Sequence, residues 1–369
     1  MAESELVVGR LRANAPTLYA TTYPPHMMQF GGAAWVDQKV IGSARPPVEV
    51  FPVCEVDNPV GVPLELRGRR GLQTSTLLRM VLRGEPYIVA KFRGSHAWRS
   101  RGEALRRAAA GKVLVTSQWP ALLLATDAGL KPRLHLAHNV DFQLSVNHDP
   151  MLFRVMRNPQ RTRGFELKLL RAAASVVALS ATDADWIAAE GIGAVSRSLA
   201  PQPVAGVQEV RGAIGFLGKV SWPPNRIALE VLLREVMPDI ASNLADPPEL
   251  VLAGRGSEAF RSARVSGLGA IDNLDRFYER VDLVVIPRLG QATGISVKML
   301  EAVERGIPVV APRQLIADAG LSHTYIAADS PAEMARAIVD YYSGKEHEKL
   351  GSTPFIPPMN LRELIDQAS

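Results

Sequence analysis

The residues best placed to do chemistry lie in the second half of the chain, in PRLGQATGISVKMLEAVERG (residues 287–306). A strand ends at Pro287, a loop follows, and the apolar period starts a helix near Thr293 that stops before Gly306. The opening of such a helix leaves the N–H groups of Ser296 and Val297 without intrahelical partners and points the positive end of its dipole outward, which makes an anion site. Glu301, about two turns in, is spaced to accept hydrogen bonds from a pair of vicinal hydroxyls. Lys219 follows the glycine turn at Gly218 that ends the run AIGFL, where an ammonium meets phosphate charge. His138 stands at the end of the run RLHLA, as a strand-end histidine in HNVD.

These residues need a scaffold that ends several strands together. Short apolar runs alternate with helical patterns: Thr17–Thr22, Val48–Val53, Lys112–Thr116, Arg133–Ala137 and Ser175–Leu179, then Ala213–Leu217, Glu249–Ala253, Asp282–Ile286, Ile307–Ala311 and Thr324–Ala327. Most are continuously apolar, as in strands buried on both faces, and their spacing fits right-handed βαβ crossovers. The class is α/β with parallel sheets. SRSLAPQPVAGVQEVRG (residues 196–212) has no helical period and reads as a linker. It divides the chain into an N-terminal domain over 1–195 and a C-terminal domain over 213–353, with a segment over 354–369 expected to pack back across the two. The 369 residues are 47% apolar and 21% charged, which excludes a disordered or collagen-like chain. A single cysteine, Cys54, excludes a disulfide framework, and no apolar window reaches membrane-spanning length.

FLGK…WPPN, LVLAGRG, IDNLDRFYERVDLVVIP and GISVKMLEAVERGIPVVAP, in this order over residues 213–312, resemble the nucleotide-sugar-binding domain of glycosyltransferase family 4 (group 1). TTYPPHMMQFGG, HNVD and ELKLLRAAASVVALSATDADW extend the resemblance into the first half. It implies a GT-B fold, two Rossmann-like domains facing an interdomain cleft. It also implies a retaining, metal-independent hexosyl- or related glycosyltransferase whose co-substrate is a nucleoside-diphosphate sugar, with no other cofactor. By the same resemblance, His138 and Lys219 are catalytic, and Gly32, Arg255, Thr293, Ser296, Val297 and Glu301 bind the donor. The sequence departs from the family at two places. Thr293 stands where many relatives carry the first glutamate of a Glu-x7-Glu pair, and only Lys219 remains of an Arg-then-Lys pair. The other readings are a GT-B-like sugar-nucleotide epimerase and a degenerate, non-catalytic sugar-nucleotide-binding protein.

Charge is uneven. The chain totals +5, yet residues 67–112 hold twelve Lys/Arg against Glu85 and Glu103, a local +10. A helix over Ala97–Ala110 would display Arg99, Arg101, Arg106 and Arg107, with Trp98 at a lipid interface. This predicts an anionic or lipid-linked acceptor and peripheral membrane contact through 67–112, in a cytoplasmic protein at the inner face of the membrane. Nucleic acid is not expected, since aromatics are sparse there. Asp183-Ala-Asp185 resembles an Asp-x-Asp metal motif, but its place in a first helical turn assigns it to capping rather than metal.

Overall fold

The computed structural model describes residues 15–26, 31–54, 70–95, 97–201, 212–290, 293–321, 325–345 and 356–368. Residues 27–30 of the first glycine loop and 202–211 of the expected linker lie outside these. The chain forms two compact units, Met1–Arg197 with Pro357–Ser369, and Ser198–Ile356.

In the first unit the described strands are β1 (Thr17–Thr21), β2 (Glu49–Pro52), β3 (Val113–Ser117), β4 (Leu134–Ala137), β5 (Val176–Ala178) and β6 (Ala194–Ser196). They form one parallel sheet in the order β2-β1-β3-β4-β5-β6. Around it lie α1 (Gly32–Gly42), α2 (Arg70–Leu82), α3 (Tyr87–Arg93), α4 (Trp98–Ala108), α5 (Gln118–Asp127), α6 (Asp141–His148), α7 (Met151–Val155), α8 (Asn158–Leu170) and α9 (Ala181–Ala189). The continuous apolar runs fill the core, with Leu18, Ala20, Leu114, Leu122, Leu123 and Val176 packed together. Ser180 caps α9 by accepting from Asp183 N at 3.0 Å, the role its spacing indicates. β6, at the start of the expected linker, has too few residues to show a pattern.

The second unit holds β7 (Ala213–Leu217), β8 (Glu249–Ala253), β9 (Arg261–Ser262), β10 (Val265–Gly267), β11 (Leu283–Val285), β12 (Val309–Ala311) and β13 (Tyr325–Ala327). Their order is β13-β12-β11-β7-β8-β10-β9, parallel except for the β9–β10 pair. Its helices are α10 (Pro223–Val231), α11 (Met237–Asn243), α12 (Asp275–Tyr278), α13 (Val297–Glu304), α14 (Arg313–Asp318) and α15 (Pro331–Tyr342). A π-helical turn, Leu232–Val236, joins α10 to α11 just before Pro238. Proline has no N–H to give the preceding turn, and a widened turn relieves the clash of its ring with the carbonyl four residues back.

The last helix, α16 (Leu361–Gln367), returns to the first unit. Asn360 caps it, Leu361 and Leu364 are buried, and Arg133 Nε donates to Ile365 O at 3.4 Å.

The parallel strands of each sheet reverse their order once, between β1 and β3 in the first and between β7 and β11 in the second. The loops leaving the carboxyl ends of such neighbouring strands diverge and open a crevice, where α/β sheets take ligands.

Candidate functional site

At the β7/β11 reversal the sequence-predicted residues gather from three loops. Gly218 N donates to Ala253 O at 2.8 Å and Val220 N to Arg255 O at 3.1 Å, so the turns after β7 and β8 are laced together. Gly254 adopts φ +117, and a Cβ there would stand 2.4 Å from Gly218 O. Only glycine meets both demands. Asn225, buried at the start of α10, donates to Lys219 O at 3.0 Å and accepts from Lys298 Nζ at 3.0 Å.

Lys298 therefore turns inward. Its ammonium lies 5.0 Å from the centre of the Phe216 ring. Burial, and then the nearby Arg288 guanidinium, push its pKa down to about 7. Arg288 itself lies 5.7 Å over the Trp222 ring. The expectation of a single cation here is thus corrected: Lys298 and Arg288 join Lys219. Lys219 is exposed, and its ammonium has no partner among the described residues. Arg255 is exposed on the β8 turn, one strand further from the reversal.

The helix of the 287–306 segment begins at Val297, not near Thr293, with Ser296 as its N-cap. Glu301 consequently stands just over one turn in rather than two. It is 5% exposed. Tyr278 donates to its Oε2 at 3.1 Å, while Arg305 bonds its backbone carbonyl at 3.2 Å and covers the Tyr278 ring at 4.5 Å. Burial raises the Glu301 carboxyl above the usual range, against the opposing pull of the Tyr278 hydrogen bond. Thr293 and Ser296 are buried, and Ser296 Oγ has no hydrogen-bond partner among the described residues. A buried unpaired hydroxyl costs about 1–3 kcal/mol, so its presence at a helix start marks a place for an acceptor such as a phosphate oxygen. Together these groups can hold a dianion against cations and free amides, with a carboxylate one turn deeper.

At the β1/β3 reversal a second cluster forms, which the sequence did not announce. Asp37 of α1 is buried and takes donors on both oxygens. Tyr19 OH (2.7 Å) and Ser117 Oγ (2.6 Å) reach Oδ1, while Thr21 Oγ1 and Gln118 Nε2 (3.1 Å) reach Oδ2. Four donors fill a carboxylate's acceptor capacity. Gln118 holds φ +65 at the sharp turn from β3 into α5, a strained conformation for a residue with a Cβ. His138 Nε2 lies 2.9 Å from Ser117 Oγ and 3.8 Å from Asp37 Oδ1. Because the Ser117 hydrogen goes to Asp37, His138 must donate from Nε2, leaving Nδ1 as the acceptor. Burial lowers its pKa, so the ring is neutral.

Gly32 heads α1, but the left-handed residue is Gly31, at φ +59 with open space around its missing side chain. In the sequence QFGGAAWVDQ the one signal for Asp37 is a lone carboxylate on an otherwise apolar helix face.

The basic region is corrected as well. Trp98 is buried and donates to Asp127 Oδ2 at 2.9 Å, so it meets no lipid. The Arg101 guanidinium stacks 4.1 Å over the Phe51 ring and bonds Pro52 O, and Arg106 bonds Ala128 O at 3.1 Å. Of the four arginines on this helix, only Arg99 and Arg107 are exposed without such a contact.

The two sheets with their order reversals define an α/β protein of two Rossmann-like domains, the GT-B fold. Residues 211–343 match the family model of glycosyl transferases, group 1. No curated protein matches the sequence. Anabaena HepE in complex with UDP aligns over 96% of this chain and 95% of its own, with TM-score 0.53 and 14% identity. The S. aureus MnaA–UDP structure covers 95% and 94% at TM-score 0.50 and 10% identity. A trehalose 6-phosphate synthase from Burkholderia multivorans covers 96% and 92% at TM-score 0.50 and 10% identity. The chain spans about half the length of TarM, which it matches over 72% of itself and 52% of that chain at TM-score 0.49 and 14% identity. At these identities the likeness establishes the fold. Among the described residues, no helix is long and apolar enough to cross a membrane.

Proposed function

We infer that the protein transfers a sugar from a nucleoside-diphosphate sugar to an acceptor. The observation that carries this reading is the coincidence of the group 1 glycosyltransferase match, residues 211–343, with a built anion site: Lys298, Arg288, Lys219 and the unpaired Ser296 hydroxyl. In this proposal Lys219, Lys298 and the amides at the start of α13 hold the diphosphate. Thr293 lines the donor sugar, Glu301 takes the ribose hydroxyls, and Arg255 lies at the nucleotide side. His138, neutral, offers its Nδ1 lone pair to a donor-sugar hydroxyl, with Gly32 at the adjoining helix start. The cations supply the charge that a divalent ion would otherwise supply, so activity persists in EDTA.

Retention is part of the proposal. The bond from the anomeric carbon to the diphosphate oxygen breaks, and the acceptor oxygen bonds to that carbon on the same face. The acceptor proton passes to the leaving phosphate oxygen, so no separate base is required. The acceptor is anionic or lipid-linked, and the protein acts on the cytoplasmic side.

Thermal-shift and calorimetric titration with UDP, GDP and ADP tests the reading. The matching nucleotide at 100 times its Kd should stabilise the chain by about 2.7 kcal/mol. If none of the three binds, the donor site is refuted. Incubation with a matching nucleotide sugar separates the alternatives: slow hydrolysis identifies the transferase, an epimerised sugar the epimerase, and an unchanged donor the non-catalytic binder.

A further inference from the structure

Two short helices of the first unit are built inside out. On α2, Thr76 and Met80 face the protein, while Leu77, Leu78, Val81 and Leu82 face outward, Leu82 at 72% exposure. On α7, Phe153 turns inward to pack its ring 5.0 Å from that of Tyr87, while Met151, Leu152 and Val155 face outward at 76%, 62% and 70%. The two helices are tied to a common base. Arg161 of α8 donates to Met80 O at 2.6 Å, and Asn158 of the same helix accepts from Tyr87 N at 2.7 Å. The outward stripes therefore sit on helices that both pack around α8 and Tyr87. Ordinary surface helices show the opposite pattern, and clustered exposed aliphatics of this kind mark an interaction surface.

Charge selects the occupant. Residues 70–83 and 150–165 contain seven arginines and no acid. Arg79 is answered by Glu85 and Arg163 by Glu190, and Arg154 bonds the backbone carbonyls of Asp149 and Asn147, but Arg83 and Arg157, both exposed, have no carboxylate partner among the described residues. A second copy of this chain would bring the same arginines against themselves, and the flanking acids are already engaged, Asp149 by Ser145 and Asn158 and Glu85 by Arg79 and Arg93. The outward residues are aliphatic or Met, without the exposed Trp or Tyr anchor that a protein interface concentrates its affinity on. Aliphatic side chains that enter a soft apolar layer, with guanidinium groups at its rim, match a bilayer interface carrying negative headgroups.

We propose that the α2–α7 face docks on the surface of an anionic lipid bilayer. This moves the membrane contact expected from the sequence away from the Trp98 helix, and it stands independently of the donor reading. The face lies flat on the lipid: its aliphatic residues enter the headgroup boundary, and Arg83 and Arg157 meet phosphates.

The test is co-sedimentation of the full chain with phosphatidylcholine vesicles, with and without phosphatidylserine or phosphatidylglycerol. Binding is expected only with the anionic lipid and falls as salt rises. Arg83→Gln and Arg157→Gln should each weaken binding about fivefold, the equivalent of ~1 kcal/mol per cation near such a surface. Leu78→Ser with Val81→Ser and Leu152→Ser should weaken it at least about tenfold, through lost apolar insertion. All these positions are exposed, so unchanged thermal melting and unchanged nucleotide affinity serve as controls for folding. The proposal is overturned if the wild type ignores anionic vesicles, or if the serine variant binds them as the wild type does. It is also overturned if light scattering finds a dimer that the serine variant dissociates, which would assign the face to self-association.

Discussion

The two strand-order reversals are built on one topology and finished in opposite ways. At the first, between β1 and β3, the carboxylate of Asp37 is saturated by Tyr19, Thr21, Ser117 and Gln118. At the second, between β7 and β11, three cations gather with one amide oxygen, Asn225 Oδ1, as the acceptor for Lys298. The first end spends its polar groups on itself and fixes a histidine tautomer. The second leaves the Lys219 ammonium and the buried Ser296 hydroxyl without a partner among the described residues, the condition of a site that a ligand completes. Thr22 Oγ1, buried beside the first reversal and without a partner among the described residues, shows that even this end keeps one polar atom in reserve.

If that contrast is right, stability and binding should separate between the two ends. The largest effect is expected for Asp37→Ala, which strands four donors and should cost ~3–5 kcal/mol in urea unfolding. Lys298→Met, which removes a buried cation without stranding a donor network, should cost far less. Equal losses would erase the distinction. Next, Glu301→Ala should weaken nucleoside-diphosphate binding by ~1.5–3 kcal/mol in calorimetry, the size of a hydrogen bond to a charged group. An unchanged affinity would remove Glu301 from the site.

Lys219→Ala should lower turnover about tenfold while changing nucleotide affinity less, because charge on the departing diphosphate grows in the transition state. Equal losses in kcat and affinity would make Lys219 a uniform binding group.

The smallest effect is a pH dependence. With Lys298 near 7 in the fold and an unperturbed lysine near ~10.4, the unfolded chain keeps a proton between those values that the folded chain has released. Its contribution to stability therefore rises with pH over that window. Affinity for a dianion moves the other way, falling as Lys298 loses charge above about 7. Both slopes should flatten in Lys298→Met, measured by denaturation and by calorimetry across pH. A wild type with flat profiles would place the ammonium in water.

The apolar runs, the α/β class and the strand–loop–helix order of residues 287–306 are legible in the sequence. Each rests on a local period: a continuous apolar run for a strand buried on both faces, and a cap such as Ser180 before Asp183. Lys219 at a strand end and Glu301 on the helix after β11 follow from the same local logic. Tertiary structure alone decided the rest. Asp37 and Ser117 lie 80 residues apart and meet because β3 pairs with β1. Trp98 is taken inward by Asp127, 29 residues away. Lys298 turns inward because α13 starts at Val297 and Asn225, at the start of α10, accepts its hydrogen bond. A period of 2 or 3.6 residues tells which face of an element is apolar. Which polar groups of distant elements meet across it depends on strand order, and strand order is set by packing of the whole sheet.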